Sequence, residues 1–226
     1  MNLLFLDTET TGRDENARLV QLAYKCGQEK LNFLFKPPVP ITFEAMAVHH
    51  ITNEMVENEK PFSEITRTYL QKLLDENILV AHNAAFDVEI LKREGINPKQ
   101  VICTLKVVQN LFDLSMYKLQ FLRYNFGLEI GQVRAHDAEG DIEVLEALFN
   151  YLFHYIGREN SEADDGQIIN QMLKWTDNPL LLRRIGFGKH KGTKFEELPK
   201  DYLQWLSGQK DLDEDLKYTI NYYLQK

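Results

Sequence analysis

Residues 3–9 read LLFLDTE, an apolar run that closes on two acids. Side chains alternate between the faces of a strand. Leu3, Phe5, Asp7 and Glu9 therefore share one face, and Leu4, Leu6 and Thr8 share the other. Such a run is expected to be buried, and a buried carboxylate is costly unless something pairs with it. At about 3.3 Å rise per residue the two acids stand about 6–7 Å apart. That spacing can flank two divalent cations about 3.5–4 Å apart. An isolated D-x-E reads first as a solvated strand end, so the choice depends on whether further acids converge on this one.

The rest of the chain supplies the elements that bring them. Residues 3–7, 19–25 and 31–35 read as three strands of an antiparallel meander, with Gly12 and Gly27 in the turns. The run KPPVP ends it, because proline lacks the ladder donor. Residues 63–74 are expected to be helical, with Ile65, Tyr69 and Leu73 on one face. Residues 78–81 and 101–103 are short apolar strands. A helix over 86–93 stops at Gly95 and Pro98, and short helices lie near 105–111 and 119–126. The strongest helix covers 138–156, where Ala138, Ile142, Leu145, Phe149, Leu152 and Ile156 recur at spacings of three and four. A meander followed by strands mixed with helices is an α/β domain with a mixed sheet.

Two more acids lie on apolar faces. Asp87 opens a helix whose Ile90 and Leu91 share its side, although an acid near a helix N-terminus is also favoured there by charge. Asp141 precedes Leu145, Leu148 and Leu152 by four, seven and eleven residues, and His136 lies five residues ahead of it. A histidine upstream of an inward acid is a candidate for proton transfer. Four carboxylates from three elements would repel one another. Hard divalent cations such as Mg²⁺ or Mn²⁺ resolve that conflict.

Residues 158–166 (RENSEADDG) are polar and acidic and read as a linker. The expected organisation is a catalytic domain over 1–157, an acidic linker with a short helix over 158–180, and a small basic C-terminal domain over 181–226. From residue 178 to 195 there are five cations (Arg183, Arg184, Lys189, Lys191, Lys194) and no acid. Glycines interleave with them, so these five are candidate DNA contacts. Leu198, Tyr202, Leu203, Trp205 and Leu206 are expected to pack beneath them.

Composition narrows the classes. At 44% hydrophobic and 27% charged, the chain has an ordinary globular balance. No apolar run is long enough to span a bilayer, and the first apolar run has neither the basic start nor the length of a signal peptide. Cys26 and Cys103 stand alone in apolar surroundings and read as free thiols of a cytoplasmic protein. The net charge of −8 argues against a protein that merely coats nucleic acid. It does not argue against one that gathers cations.

LDTETTG, HNAAFD and HDAEGD, in that order, resemble the three motifs of the DEDDh 3′–5′ exonucleases. The last motif of that family reads H-x-A-x-x-D, which His136, Ala138 and Asp141 fit. Val48, His49, Ile51 and Thr52 fit its V-H-x-I-T segment, with His50 on the variable position. ITFEAMAVHHITNEMV, VICTLK and GFGKHKGTKFEELPKDYLQWL are similar to the exodeoxyribonuclease X-like branch, so the likeness covers nearly the whole chain. It implies a ribonuclease-H-like mixed sheet flanked by helices, and release of nucleoside 5′-monophosphates from DNA 3′ ends, single-stranded or duplex. It also implies two Mg²⁺ ions, or Mn²⁺, held by Asp7, Glu9, Asp87 and Asp141, with His136 as general base. Thr8, Thr10 and backbone amides near Glu9 and Gly12 would meet the terminal sugar. Val48, His49 and Phe86 would hold the terminal base, and Asn83 the backbone. No membrane partner is implied, and DNA-repair proteins stand as candidate protein partners. The rival readings are an exoribonuclease, a polymerase proofreading subunit and a non-catalytic nucleic-acid-binding module.

Overall fold

Alternation along the first strand divides the domain into two cores. In the computed structural model, which describes residues 2–130, 138–210 and 212–226, β1 (Leu3–Thr10) is the middle strand of a five-stranded sheet. β2 (Leu19–Cys26) and β3 (Glu29–Leu34) form the antiparallel meander on one side of it. They turn at Gly27, whose φ of +59° suits glycine. After α1 (Phe43–His49), α2 (Asn53–Val56) and α3 (Glu64–Glu76) come β4 (Ile78–Ala81), α4 (Ala84–Arg93) and β5 (Val101–Cys103). β4 pairs parallel with β1, and β5 with β4, giving the order β3-β2-β1-β4-β5. The expected mixed sheet is present, and β1 runs three residues further than expected, so both acids lie inside the strand.

Leu4 and Leu6 face a core with Leu70 and Leu74 of α3 and Ile90 and Leu91 of α4. Ile65 is 83% exposed, so α3 turns a neighbouring stripe inward rather than the Ile65–Tyr69–Leu73 face. Phe5 faces the other core, built with α5 (Thr104–Leu111), α6 (Leu119–Asn125), α7 (Ala138–Glu159) and α8 (Asp165–Asp177). On α7, Ile142, Leu145, Leu148, Phe149 and Leu152 are all buried. Each is worth about 1.5–3 kcal/mol. The Lys25–Glu146 and Lys30–Glu143 pairs to the meander are partly exposed, and such pairs contribute at most about 1 kcal/mol each. Apolar burial therefore docks α7, and the ion pairs only trim its orientation.

The stretch 158–180 corrects the expected boundary. Arg158 and Glu159 finish α7, and α8 is not linker: its Ile168, Ile169, Met172 and Leu173 belong to the same core as Phe5. Asp164, within the acid run, is the N-cap of α8 and accepts the Gln167 N–H. The C-terminal unit has its own core of Ile185, Phe195, Leu198, Tyr202, Leu203, Leu206, Leu216 and Ile220, with α9 (Lys200–Ser207) and α10 (Glu214–Gln225). Trp205, expected in that core, is 57% exposed because it points off the outer side of α9.

His82 closes the end of β4. Its Nε2–H donates to the Tyr117 carbonyl at 2.7 Å, and Nδ1 meets the Thr104 hydroxyl at 2.9 Å. Burial pushes its pKa from 6.5 down to about 4.

Two outcomes follow from this packing. Four buried side chains leave with α8 when the chain is cut after residue 157, a loss of about 6–12 kcal/mol that rivals the whole stability of a domain, about 5–15 kcal/mol. That fragment should lack a cooperative thermal transition, and one cut after residue 178 should keep it; circular dichroism melts decide, and a wild-type-like melt of the shorter fragment refutes the role of α8. For His82 the folded pKa lies below the unfolded one, so the unfolded chain binds the extra proton. The stability this gives is complete above about pH 6.5 and is lost as pH falls towards 4, by up to about 3 kcal/mol. Wild type should lose its advantage over His82→Gln across that window in denaturant titrations; parallel curves would remove His82 as the cause.

Candidate active site

β4 runs beside β1 only as far as Val80 opposite Phe5. Beyond that point α4 takes over the edge. Asn83 adopts φ 64° and ψ 44°, a left-handed turn that Asn tolerates better than other side-chain-bearing residues. The turn starts α4 and lays Asp87 against the exposed backbone of β1. Asp87 Oδ1 accepts the Thr8 N–H at 3.1 Å and the Thr8 hydroxyl at 2.7 Å. The pairing between β1 and β2 also slips between Glu9 and Thr10, a local irregularity of the kind that re-aims side chains beside active sites.

Asp141 comes from α7 and is 8% exposed. Gln120 of α6 donates from Nε2 to Asp141 Oδ1 at 2.6 Å. Nothing in the sequence marks Gln120, since it lies on a short helix with no motif around it. His136 lies outside the described residues.

The acids meet electrostatically. Burial raises the Asp7 carboxyl well above its ordinary range, and Asp87, Glu9 and Asp141 raise it further. Burial first, then Asp141 and Asp87, pushes Glu9 up to about 7, while Arg13 acts in the opposite direction. Asp87 is raised to about 7 by burial, against the pull of its hydrogen bonds from Thr8. A donor set made wholly of carboxylates, each opposed by the next, fits a hard divalent cation. Among the described residues no three His, Cys, Asp or Glu side chains are already drawn into a cation cage, so donor chemistry and mutual repulsion carry the fit.

A pocket of about 450 Å³ opens beside Glu9 and is lined by Thr10, Gly12, Val48, His49 and Phe86. Arg13, Thr42 and Glu44, not singled out from the sequence, line it as well. His49 is buried and held at both nitrogens: Nδ1 accepts the Ile51 N–H, and Nε2 donates to the Thr10 carbonyl. Burial lowers its pKa, so the ring is neutral. The Thr10 hydroxyl donates to the Gly12 carbonyl at 2.6 Å. Thr8 is buried with its hydroxyl spent on Asp87. Asn83 is exposed and does not line this pocket.

The tail cations divide into two sets. Arg184 forks onto Asp113, and Arg183 donates to the Asn110 carbonyl, so both dock the tail onto the segment after β5. Lys194 pairs with Glu196, and Lys189 lies over the Tyr202 ring. Lys191 is exposed.

Comparison with known proteins agrees with this geometry. The exonuclease family RNase_T matches residues 4–149. Exodeoxyribonuclease 10 of Escherichia coli (strain K12) is 27% identical over 99% of both chains. DNA polymerase III subunit epsilon of Treponema pallidum (strain Nichols) is 32% identical over 70% of this chain and 79% of that protein. The solved structure of exonuclease X in complex with 5′ overhanging duplex DNA superposes with a TM-score of 0.61 at 26% identity, covering 77% of this chain and 99% of that one. With its mixed sheet, its two acids on the central strand and its further acids on α4 and α7, the chain belongs to the DEDDh 3′–5′ exonucleases, enzymes of ribonuclease-H-like fold.

Proposed function

We propose that the enzyme hydrolyses DNA from its 3′ ends and releases nucleoside 5′-monophosphates. The observation that most supports this is the meeting of four carboxylates from three elements beside an apolar-walled pocket. The proposed cofactor is a pair of Mg²⁺ ions, replaceable by Mn²⁺, held by Asp7, Glu9, Asp87 and Asp141. When bound, such a pair supplies an activated water and stabilises the leaving oxygen.

The chain's own residues carry the other steps. Val48 and Phe86 offer apolar surface to a terminal base without reading its edge. His49, neutral and held at both nitrogens, fixes the pocket wall and is not free to shuttle a proton. That role falls to His136, because histidine is the side chain whose unperturbed proton exchange lies nearest neutral pH, and it would take the proton of the attacking water. Thr8 acts by holding Asp87, and the backbone around Gly12 faces the sugar. DNA is preferred to RNA because the relative that matches over 99% of both chains is an exodeoxyribonuclease, and the solved relative holds duplex DNA.

Oligomers of one sequence, as DNA and as RNA, labelled at the 5′ end, test this directly. DNA should shorten from the 3′ end with Mg²⁺ and stay intact with EDTA; faster loss of RNA would establish the exoribonuclease reading instead. Asp7→Asn and Asp141→Asn should be inactive, and Mg²⁺ should raise the melting temperature of wild type more than that of either variant. Wild-type turnover by Asp141→Asn would sink the assignment.

His136→Ala should slow the chemical step by about 10²–10⁴-fold and recover in part at higher pH, where hydroxide is more available. A single-turnover rate equal to wild type at pH 7 would exclude His136 as the base.

A further inference from the structure

A groove of about 690 Å³ lies between the nuclease domain and the C-terminal unit. One wall is residues 113–118, which join α5 to α6. The other is the hairpin of residues 184–194, closed by the pairing of Arg184 with Lys194. The walls are fixed to each other before any ligand arrives. Arg184 bonds both carboxylate oxygens of Asp113, at 2.9 and 3.0 Å, and Lys106 pairs with Asp215 at 3.1 Å.

The chemistry of the groove is specific. Among the described residues two acids line it, and both are occupied: Asp113 by Arg184, and Asp213 as the N-cap of α10, where it accepts the Leu216 N–H. Lys118 and Lys191 also line it and, among the described residues, have no ion-pair partner. Phe187 and Met116, each 44% exposed, stand on the same walls. Unpaired cations beside an uncovered aromatic ring match a nucleic acid strand, whose phosphates meet lysine and whose bases stack on phenylalanine.

One wall of the groove is tied to the elements that carry the acids. The Tyr117 carbonyl in its wall accepts from His82 at the end of β4. Lys118 is the N-cap of α6, and Gln120, two residues on, holds Asp141. We propose that this groove holds the single-stranded segment of the substrate on the 5′ side of its terminal nucleotide, through Lys118, Lys191 and Phe187. The inference rests on the exonuclease reading above and adds a second binding region outside the terminal-base pocket. It also explains the tail arginines, which hold the far wall in place while the lysines face the strand.

Binding in EDTA, where no turnover occurs, tests it on the full chain. The probes are 5′-fluorescein single-stranded DNA of 20 and of 4 nucleotides, followed by anisotropy across a salt series. The double variant Lys118→Gln/Lys191→Gln should bind the 20-mer more weakly, and its slope of log affinity against log salt should flatten by about 1.4, about 0.7 per lost phosphate contact. Phe187→Ala should weaken the 20-mer by about tenfold, within the range of one lost stack, and leave the salt slope as it was. In both, the ratio of 20-mer to 4-mer affinity should fall. Wild-type affinity and slope in both variants, with unchanged melting temperatures, would overturn the groove while leaving the exonuclease reading to the digestion assay.

Discussion

Burial first, and then the charge of the neighbouring acids, drives Asp7 and Glu9 towards the protonated form where Asp7, Glu9, Asp87 and Asp141 come together. Charges of one sign do not assemble unless something stronger holds their backbones. Here two apolar cores do so from opposite faces of one strand. Phe5 and Leu6 are neighbours in sequence, yet one is locked under α7 and the other under α3 and α4. The strand between the cores cannot retreat from its own acids. Asp87 is held in addition by the Thr8 amide and hydroxyl, and Asp141 by Gln120. The site is a costly gathering of like charge on a well-packed scaffold, the usual division between functional and structural parts of a fold.

What the sequence disclosed is what short periodicities encode. The two-residue period put Asp7 and Glu9 with Phe5, and the helical period put Asp141 with Leu145, Leu148 and Leu152. In the structure Phe5 is buried in the core under α7 while Asp7 and Glu9 are half-buried further along β1, and Asp141 is buried on α7 together with Leu145, Leu148 and Leu152. The three motifs add order and spacing, and so they named the family as well as the acids.

What the sequence withheld depends on contacts between distant segments. The acids of residues 158–166 suggested linker, but two of them, Asp164 and Asp165, begin a helix whose apolar face is only four side chains wide. Arg183 and Arg184 looked like outward cations, and only the fold brings Asp113 and Asn110 beneath them. Gln120 carries no periodic signal, because a single hydrogen bond between two helices leaves no trace along either. Thr8 was expected at the sugar; it lies on the same buried face as Leu4 and Leu6, and Asp87 reaches its amide and hydroxyl where β4 stops short, a length that composition does not set.

That short stop has a counterpart at the far side of the sheet. β5 is three residues long and, among the described residues, has a strand neighbour on one side only. A bare edge of this kind offers its amides to any extended chain. Here the Cys103 N–H is taken by the Thr176 hydroxyl at 2.9 Å, and that hydroxyl in turn donates to the Met172 carbonyl within α8. A helix thus ends the sheet with a side chain in place of a sixth strand. The Cys103 amide is thereby withdrawn from pairing with any further extended chain, and the sheet finds the finish of that edge within its own domain.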